Sequence, residues 1–435
     1  MRNVSLFQGI LLAIFGLGAL IGLFVFATYT SGGGSSNVVG KVTLWGTLPK
    51  SDMQAALTAA AKTDQSLKGV TYVQKDPATL KDDLTTAIAT GSGPDLVLAS
   101  QEELATLVPF LETIPTSQVS ASAFQGAFTD GASVYAAPSG GYYGIPFLID
   151  PLVLFSNDAI LASDNIAKPP SNWDALTGLV PTVAVLTPSQ QITRALIGMG
   201  TYDNVHDALG ILSALFLQTN VPIAVRTGGG LLTADLGGTS QGGVPPGQAV
   251  LRFYTQFADP AKVSYTWNAS LDDSQSVFLA GNLAFYLGYV SEARFMEQAN
   301  PNLSFSVSPL PQLSTATTKT TYGRIYAFMI PKGATNSAGA YQAAVLMTNT
   351  AEQEESASAT GLAPASRTVL ATPPSSDPIA EVAYASALYT EGWLSPAASA
   401  TDQVFSGMID NVITGRTTLA TALSIAERSL SSLLQ

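Results

Sequence analysis

The stretch Gly141–Asp158, GYYGIPFLIDPLVLFSND, constrains this chain more than any other. It is an almost unbroken apolar, β-prone run, and such a run reads as a strand buried on both faces. That demands a sheet with covering layers above and below. One acid, Asp150, stands inside it against Pro151. A charge there either marks a crossing between two bodies or is a turn acid held by its proline. The run ends in Ser156-Asn157-Asp158, residues suited to capping a helix.

The chain before the run supplies a sheet. Lys41–Trp45 reads as a strand, and Ser51 with Gln54 as a capping box ahead of Met53, Leu57, Ala60 and Ala61 on one helical face. Val70–Gln74 is a second strand, Asp76-Pro77 a helix start, and Asp95–Ala99 a third strand. Ser100 and Glu103 form another capping box. The order β-α-β-α-β-α predicts a parallel sheet with helices on its faces, whose ligands sit beyond the carboxyl ends of the strands. Trp45-Gly46 and Ser100-Gln101 occupy those ends.

A second α/β set follows the run. Ser171 or Asn172 caps a helix in KPPSNWDAL, Val183–Leu186 is a strand, and the pattern from Pro188 through Met199 predicts a helix. Asp207–Gln218 is helical, Gly228–Gly247 is a Gly-, Thr- and Ser-rich loop, and Leu283–Tyr289 is another buried strand. Phe305–Leu310 and Tyr322–Ile330 add further β structure, and helices over Thr401–Ile413 and Thr418–Leu434 close the chain. Lying between a complete lobe and a second one, the opening run is expected to be a crossing, with Ile145–Ile149 carrying the chain over.

Composition removes whole classes of function. The net charge is −12 with no Lys/Arg cluster, which argues against nucleic acid. Cysteine is absent, so disulfides, thiolate metal sites, a cysteine nucleophile and a lipid anchor on cysteine are excluded. With a single histidine, no zinc site, metal or other cofactor is expected. Leu6–Ala27 is apolar except for Gln8 and long enough to span a bilayer. Arg2 flanks it on the short side, which predicts the remainder outside the cell. An uncleaved transmembrane anchor over 1–28 is the reading adopted over a cleaved signal segment, and 29–39, containing SGGGSSN, is a flexible tether.

Four segments, in order, resemble the extracellular solute-binding proteins of bacterial ABC transporters, the maltose-binding-like group. They are Gly91-Ser-Gly-Pro-Asp-Leu-Val97; the opening run with Pro169-Pro170-Ser-Asn-Trp173-Asp174-Ala-Leu176; Phe278-Leu-Ala-Gly281 with Ala284, Tyr286, Gly288 and Tyr289; and Gly415-Arg416-Thr417 with Ala420 and Leu423. The chain departs from that pattern in reading Phe155-Ser156-Asn157-Asp158, without the family's lysine, and in carrying Tyr289 where a tryptophan is frequent. The resemblance implies a two-lobed α/β periplasmic-binding-protein-like fold with hinge crossings, preceded here by the transmembrane helix. Lobe I is expected over 40–148 plus about 305–360, and lobe II over 149–304 plus about 361–435. It further implies capture of a small solute, an oligosaccharide being favoured, in the interlobe cleft. A permease in the same membrane would then receive the solute, and the binding protein would be a monomer.

Rings that face a cleft stack on sugars, and polar neighbours fix the hydroxyls. The ligand-binding candidates are Trp45, Tyr143, Trp267, Tyr289 and Trp393 as rings, and Gln101, Asp150 and Arg324 as polar groups. Each has a structural alternative: core or hinge packing for the tryptophans, helix capping for Gln101, a surface ion pair for Arg324. Trp173 is assigned to structure. No catalytic residue is expected. The rival readings are a carbohydrate hydrolase using acids such as Asp150 and Asp235, and a surface sensor or adhesin that reuses the fold.

Overall fold

The computed structural model describes residues 39–228, 230–239 and 242–435. The apolar stretch 6–27 and the SGGGSSN tether lie outside the described residues. Among those described, no helix is long and apolar enough to cross a membrane.

The opening run is a single strand that serves two half-sheets. The first half-sheet begins with β1 (Val42–Gly46), β2 (Val70–Gln74) and β3 (Leu96–Ser100). They are parallel in the order β2-β1-β3, and helices Lys50–Thr63 and Leu80–Ala89 connect them. The run itself is β4 (Ile145–Asn157), every residue of which is buried. Short β5 (Val185–Leu186) and β6 (Ile192–Ile197) follow. A separate hairpin comprises β7 (Ile223–Arg226) and β8 (Leu232–Asp235). Then come β9 (Leu283–Tyr289), β10 (Phe305–Pro309) and β11 (Thr321–Met329), and finally the two-residue strands β12 (Ala363–Pro364) and β13 (Thr390–Glu391). The continuous order is β2-β1-β3-β11-β4-β9-β6-β5.

Register locates the changeover within β4. Residues Ile145–Pro151 pair with β11, whereas Leu152–Ser156 pair with β9 and Val153–Asn157 with β10. The chain therefore changes half-sheets at Asp150-Pro151-Leu152, and Ile145–Ile149 belongs wholly to the first. β11 returns the chain, and β13 lies beside Thr321-Tyr322 as a third crossing. β10, expected with the first lobe, pairs with the distal half of β4.

Local expectations and structure differ where tertiary partners intervene. The Ser100–Glu103 capping box forms as expected. The one at Ser51 does not: the helix starts at Lys50, whose N–H is taken by Gln74 from β2. Asp76 makes a turn with Ala78 one turn ahead of the helix at Leu80. The largest change is Ile192–Ile197, a strand where a helix is expected from sequence. It pairs in parallel with β9 through Ala195–Leu283 and Ile197–Phe285, and the second half-sheet requires it. Local propensity yields to that pairing, as it routinely does for short apolar segments.

Candidate functional site

At the changeover, side chains from both half-sheets and two crossings converge. Asp150 is 2% exposed. Its two oxygens accept from the N–H (3.0 Å) and Oγ (2.7 Å) of Ser291, just past β9. Burial pushes its carboxyl up to about 6, opposed by the Arg324 charge and the Ser291 hydrogen bonds. Arg324 is its register partner on β11. The Arg324 guanidinium lies 3.8 Å above the Tyr289 ring, and its Nε donates to Glu102 at 3.2 Å. A third of this side chain reaches solvent. Among the described residues its terminal nitrogens have no hydrogen-bond acceptor, so its outer edge is free to bind.

The first half-sheet contributes Glu102, in the opening turn of the helix Gln101–Leu107 after β3. Its carboxylate accepts from Tyr322 (2.6 Å) as well as Arg324. Beside it, burial and then the charge of Glu102 lift Glu103 to about 7. The second half-sheet contributes Asp207, preceding the helix Ala208–Gln218, and Glu292, opening the helix Glu292–Ala299. Burial and the neighbouring Glu292 raise Asp207 well above the carboxylate range. His206, Asp207 and Glu292 bring their side-chain oxygens and nitrogens within 4.8 Å of one another. The Arg324 charge next to Asp207 and three donors already on Glu292 make this arrangement a poor fit for a metal ion.

The sequence candidates separate by depth. Trp45, at the end of β1, is half-buried, with Lys75 Nζ 3.9 Å above its ring. Tyr143 is half-buried just ahead of β4, whereas Tyr142 stacks on Phe124 at 3.7 Å in the core. Tyr289 is buried beneath Arg324. Gln101 is fully buried and does not cap its helix: Oε1 accepts from Ile325 N–H at 2.7 Å and Nε2 donates to Gly323 carbonyl at 3.0 Å, locking β11 to the first half-sheet. Trp267 is completely buried, its Nε1 donating to Asn204, and in this conformation presents no ring to a ligand. Trp393 is 3% exposed and donates to Ser213. It edges a crevice of about 480 Å³ together with Val134, Leu217, Leu232 and Glu391, a lining that includes none of Trp45, Glu102 and Arg324. Trp173, assigned to structure, is buried and donates to Gln218 at 2.7 Å. Asp235 sits on the hairpin β7–β8 and holds Gly238 N–H.

Sequence reasoning did not bring Glu102, Asp207 and Glu292 forward. Each stands one or two residues beyond a strand end or at a helix start, and that placement was the only local signal available.

Comparison with solved structures establishes the fold. A cyclo/maltodextrin-binding protein complexed with maltotetraose aligns with a TM-score of 0.73 at 17% identity, over 93% of this chain and 99% of that one. The cyclic alpha-maltosyl-1,6-maltose binding protein from Arthrobacter globiformis gives 0.72 at 14%, over 91% and 98%. The maltose/maltodextrin-binding domain MalE from Bdellovibrio bacteriovorus, bound to maltotriose, gives 0.66 at 15%, over 90% and 99%. At these identities the likeness is one of fold, the two-lobed α/β fold expected from sequence. No curated protein matches the chain. A family model does match, over residues 54–382, most of the described chain, and by it this protein belongs to the bacterial extracellular solute-binding proteins.

Proposed function

We propose that the chain captures a small polyhydroxylated solute, an oligosaccharide, between its lobes and presents it to an ABC permease. As a member of a solute-binding family it is not an enzyme, and the hydrolase reading lapses. The observation that carries the ligand class is Arg324. Its unengaged donors stand beside the carboxyl groups of Glu102 and Asp207, one from each half-sheet. A sugar hydroxyl both donates and accepts, so it suits an edge where guanidinium donors stand beside carboxyl groups. Trp45 supplies the accessible ring for stacking, and Tyr143 borders the same end of the fold. Tyr289, Asp150 and Gln101 act beneath this surface by holding Arg324 and β11 in place. Structural neighbours bound to maltotetraose and maltotriose support the same class.

The strand pairings favour moving the return crossing from about residue 305 to Thr321–Arg324, so that β10 belongs to lobe II. Residues 6–27 are taken as the membrane anchor of an otherwise extracellular protein. Membrane fractionation of the full chain against one starting at residue 39 tests this, and equal solubility of the two refutes it.

The ligand reading is tested by thermal shift with maltooligosaccharides, mannotriose, polyols and peptides, paired with X-ray scattering. A sugar should raise the midpoint and compact the particle, since closure is a hinge motion that ligand contacts favour. Trp45→Ala should weaken that sugar about tenfold, the equivalent of roughly 1.4 kcal/mol. If no sugar or polyol shifts the midpoint, or only peptides do, the proposal fails.

A further inference from the structure

The donors around Asp207 and Glu292 are distributed unequally. Glu292 Oε1 accepts from Tyr289 N–H at 2.7 Å, and its Oε2 accepts from Gln275 Nε2 at 2.6 Å and from the Tyr286 hydroxyl. Asp207 has only a long contact to that same hydroxyl, 3.4 Å, and its side chain does not cap the helix that follows it. Asp207 and Glu292 are half-buried with carboxyl oxygens within 4.8 Å of each other, and ionising one raises the cost of ionising the other. The donors gather on Glu292, and Asp207, raised by burial and by the nearby Glu292, is the carboxyl that holds a proton.

This pair stands at the start of a helix that touches two crossings. Helix Ala208–Gln218 lies against β11. A Cβ added at Gly210 would come within 2.6 Å of the Tyr289 hydroxyl, with the Tyr322 ring next at 3.6 Å. Three residues on, Ser213 accepts from Trp393, beside the third crossing. The charged and titratable groups facing Asp207 are Glu292 at the start of the helix Glu292–Ala299, Tyr286 and Tyr289 from β9, Arg324 from β11, Asp150 from β4, and the adjacent His206, itself 3.5 Å from Asp273. Only Arg324 among them is a permanent cation, and Glu102 already engages it.

We propose that Asp207 holds a proton at neutral pH beside Glu292, and that its loss loosens helix Ala208–Gln218 from the crossings and makes lobe apposition pH-dependent. Deprotonation puts two negative charges side by side, and the strain is relieved by moving the start of the helix away from Glu292. The inference rests on the two-lobed fold and not on the identity of the ligand.

The test uses the intact, ligand-free protein. Infrared difference spectra at pH 7 between wild type and Asp207→Asn should show a protonated carboxylic acid band lost in the variant. Urea midpoints should fall between pH 5 and pH 8 more steeply in wild type than in D207N, by about one proton's worth of slope. Tyr286→Phe removes a donor from Glu292 and should move the proton's release to higher pH, which keeps the test independent of how well D207N folds. A missing difference band, or equal slopes in wild type and D207N, overturns the proposal. So does a rise in the wild-type midpoint on adding Ca2+ or Zn2+, because the groups would then be holding a cation in place of a proton.

Discussion

Asp150→Asn isolates the cost of burying a charge at the crossing. Burial moves this carboxyl from 3.8 up to about 6 even with Arg324 as register partner and two hydrogen bonds from Ser291. The interval of about 2 pH units corresponds to roughly 3 kcal/mol at about 1.4 kcal/mol per unit. A raised carboxyl binds its proton more tightly folded than unfolded. Stability from this group is therefore intact below about pH 4, declines as pH rises towards 6, and stays reduced above it. Asparagine keeps the shape and the acceptor for Ser291 N–H without ionising. Urea unfolding at pH 7 should find D150N more stable than wild type by up to about 3 kcal/mol, and the difference should vanish near pH 4. A variant less stable than wild type at pH 7 would show that the Asp150–Arg324 attraction outweighs desolvation. A pH-independent difference would equally refute the reasoning, since neither outcome follows from a carboxyl raised by burial.

Other consequences follow from how the remaining groups are held. Gln101→Leu leaves Ile325 N–H and Gly323 carbonyl unpaired in a buried site, and should cost about 3 kcal/mol in urea unfolding. Trp267→Ala should cost about 4 kcal/mol, because the ring is fully buried and its N–H satisfied. If it instead abolished sugar binding with stability intact, Trp267 would have to turn outward in the bound state. Gly131→Ala places a Cβ within 2.1 Å of the Thr390 carbonyl, so it should lower the thermal midpoint and loosen the third crossing, visible as faster amide exchange at Thr390-Glu391.

Much of the frame was legible because its signals are local. The uninterrupted run Ile145–Asn157 announced a doubly buried strand, and Asp150 announced an exception within it. The Ser100–Glu103 capping box marked a helix start by spacing alone. The misread segment, Ile192–Ile197, has no local feature that separates strand from helix, and only the β9 edge beside it decides. The site was less legible. Glu102, Asp207 and Glu292 lie 105 and then 85 residues apart along the chain, and nothing in any one segment foretells the others. Of the four tryptophans, Trp45, Trp267 and Trp393 were candidate stacking rings and Trp173 a structural one. Three are buried and one is half-exposed, because which side of an element an indole faces depends on what covers that element.

From sequence alone come the parallel first lobe, the crossing at the apolar run and the family, since periodicity, caps and turn residues act over a few positions. The tertiary structure alone decided where along β4 the chain changes sheets, that Gln101 fastens β11 to the first half-sheet, and that one arginine stands among acids drawn from both lobes. Those features depend on register and on which charges share a low-dielectric space, and both arise only once distant segments have packed.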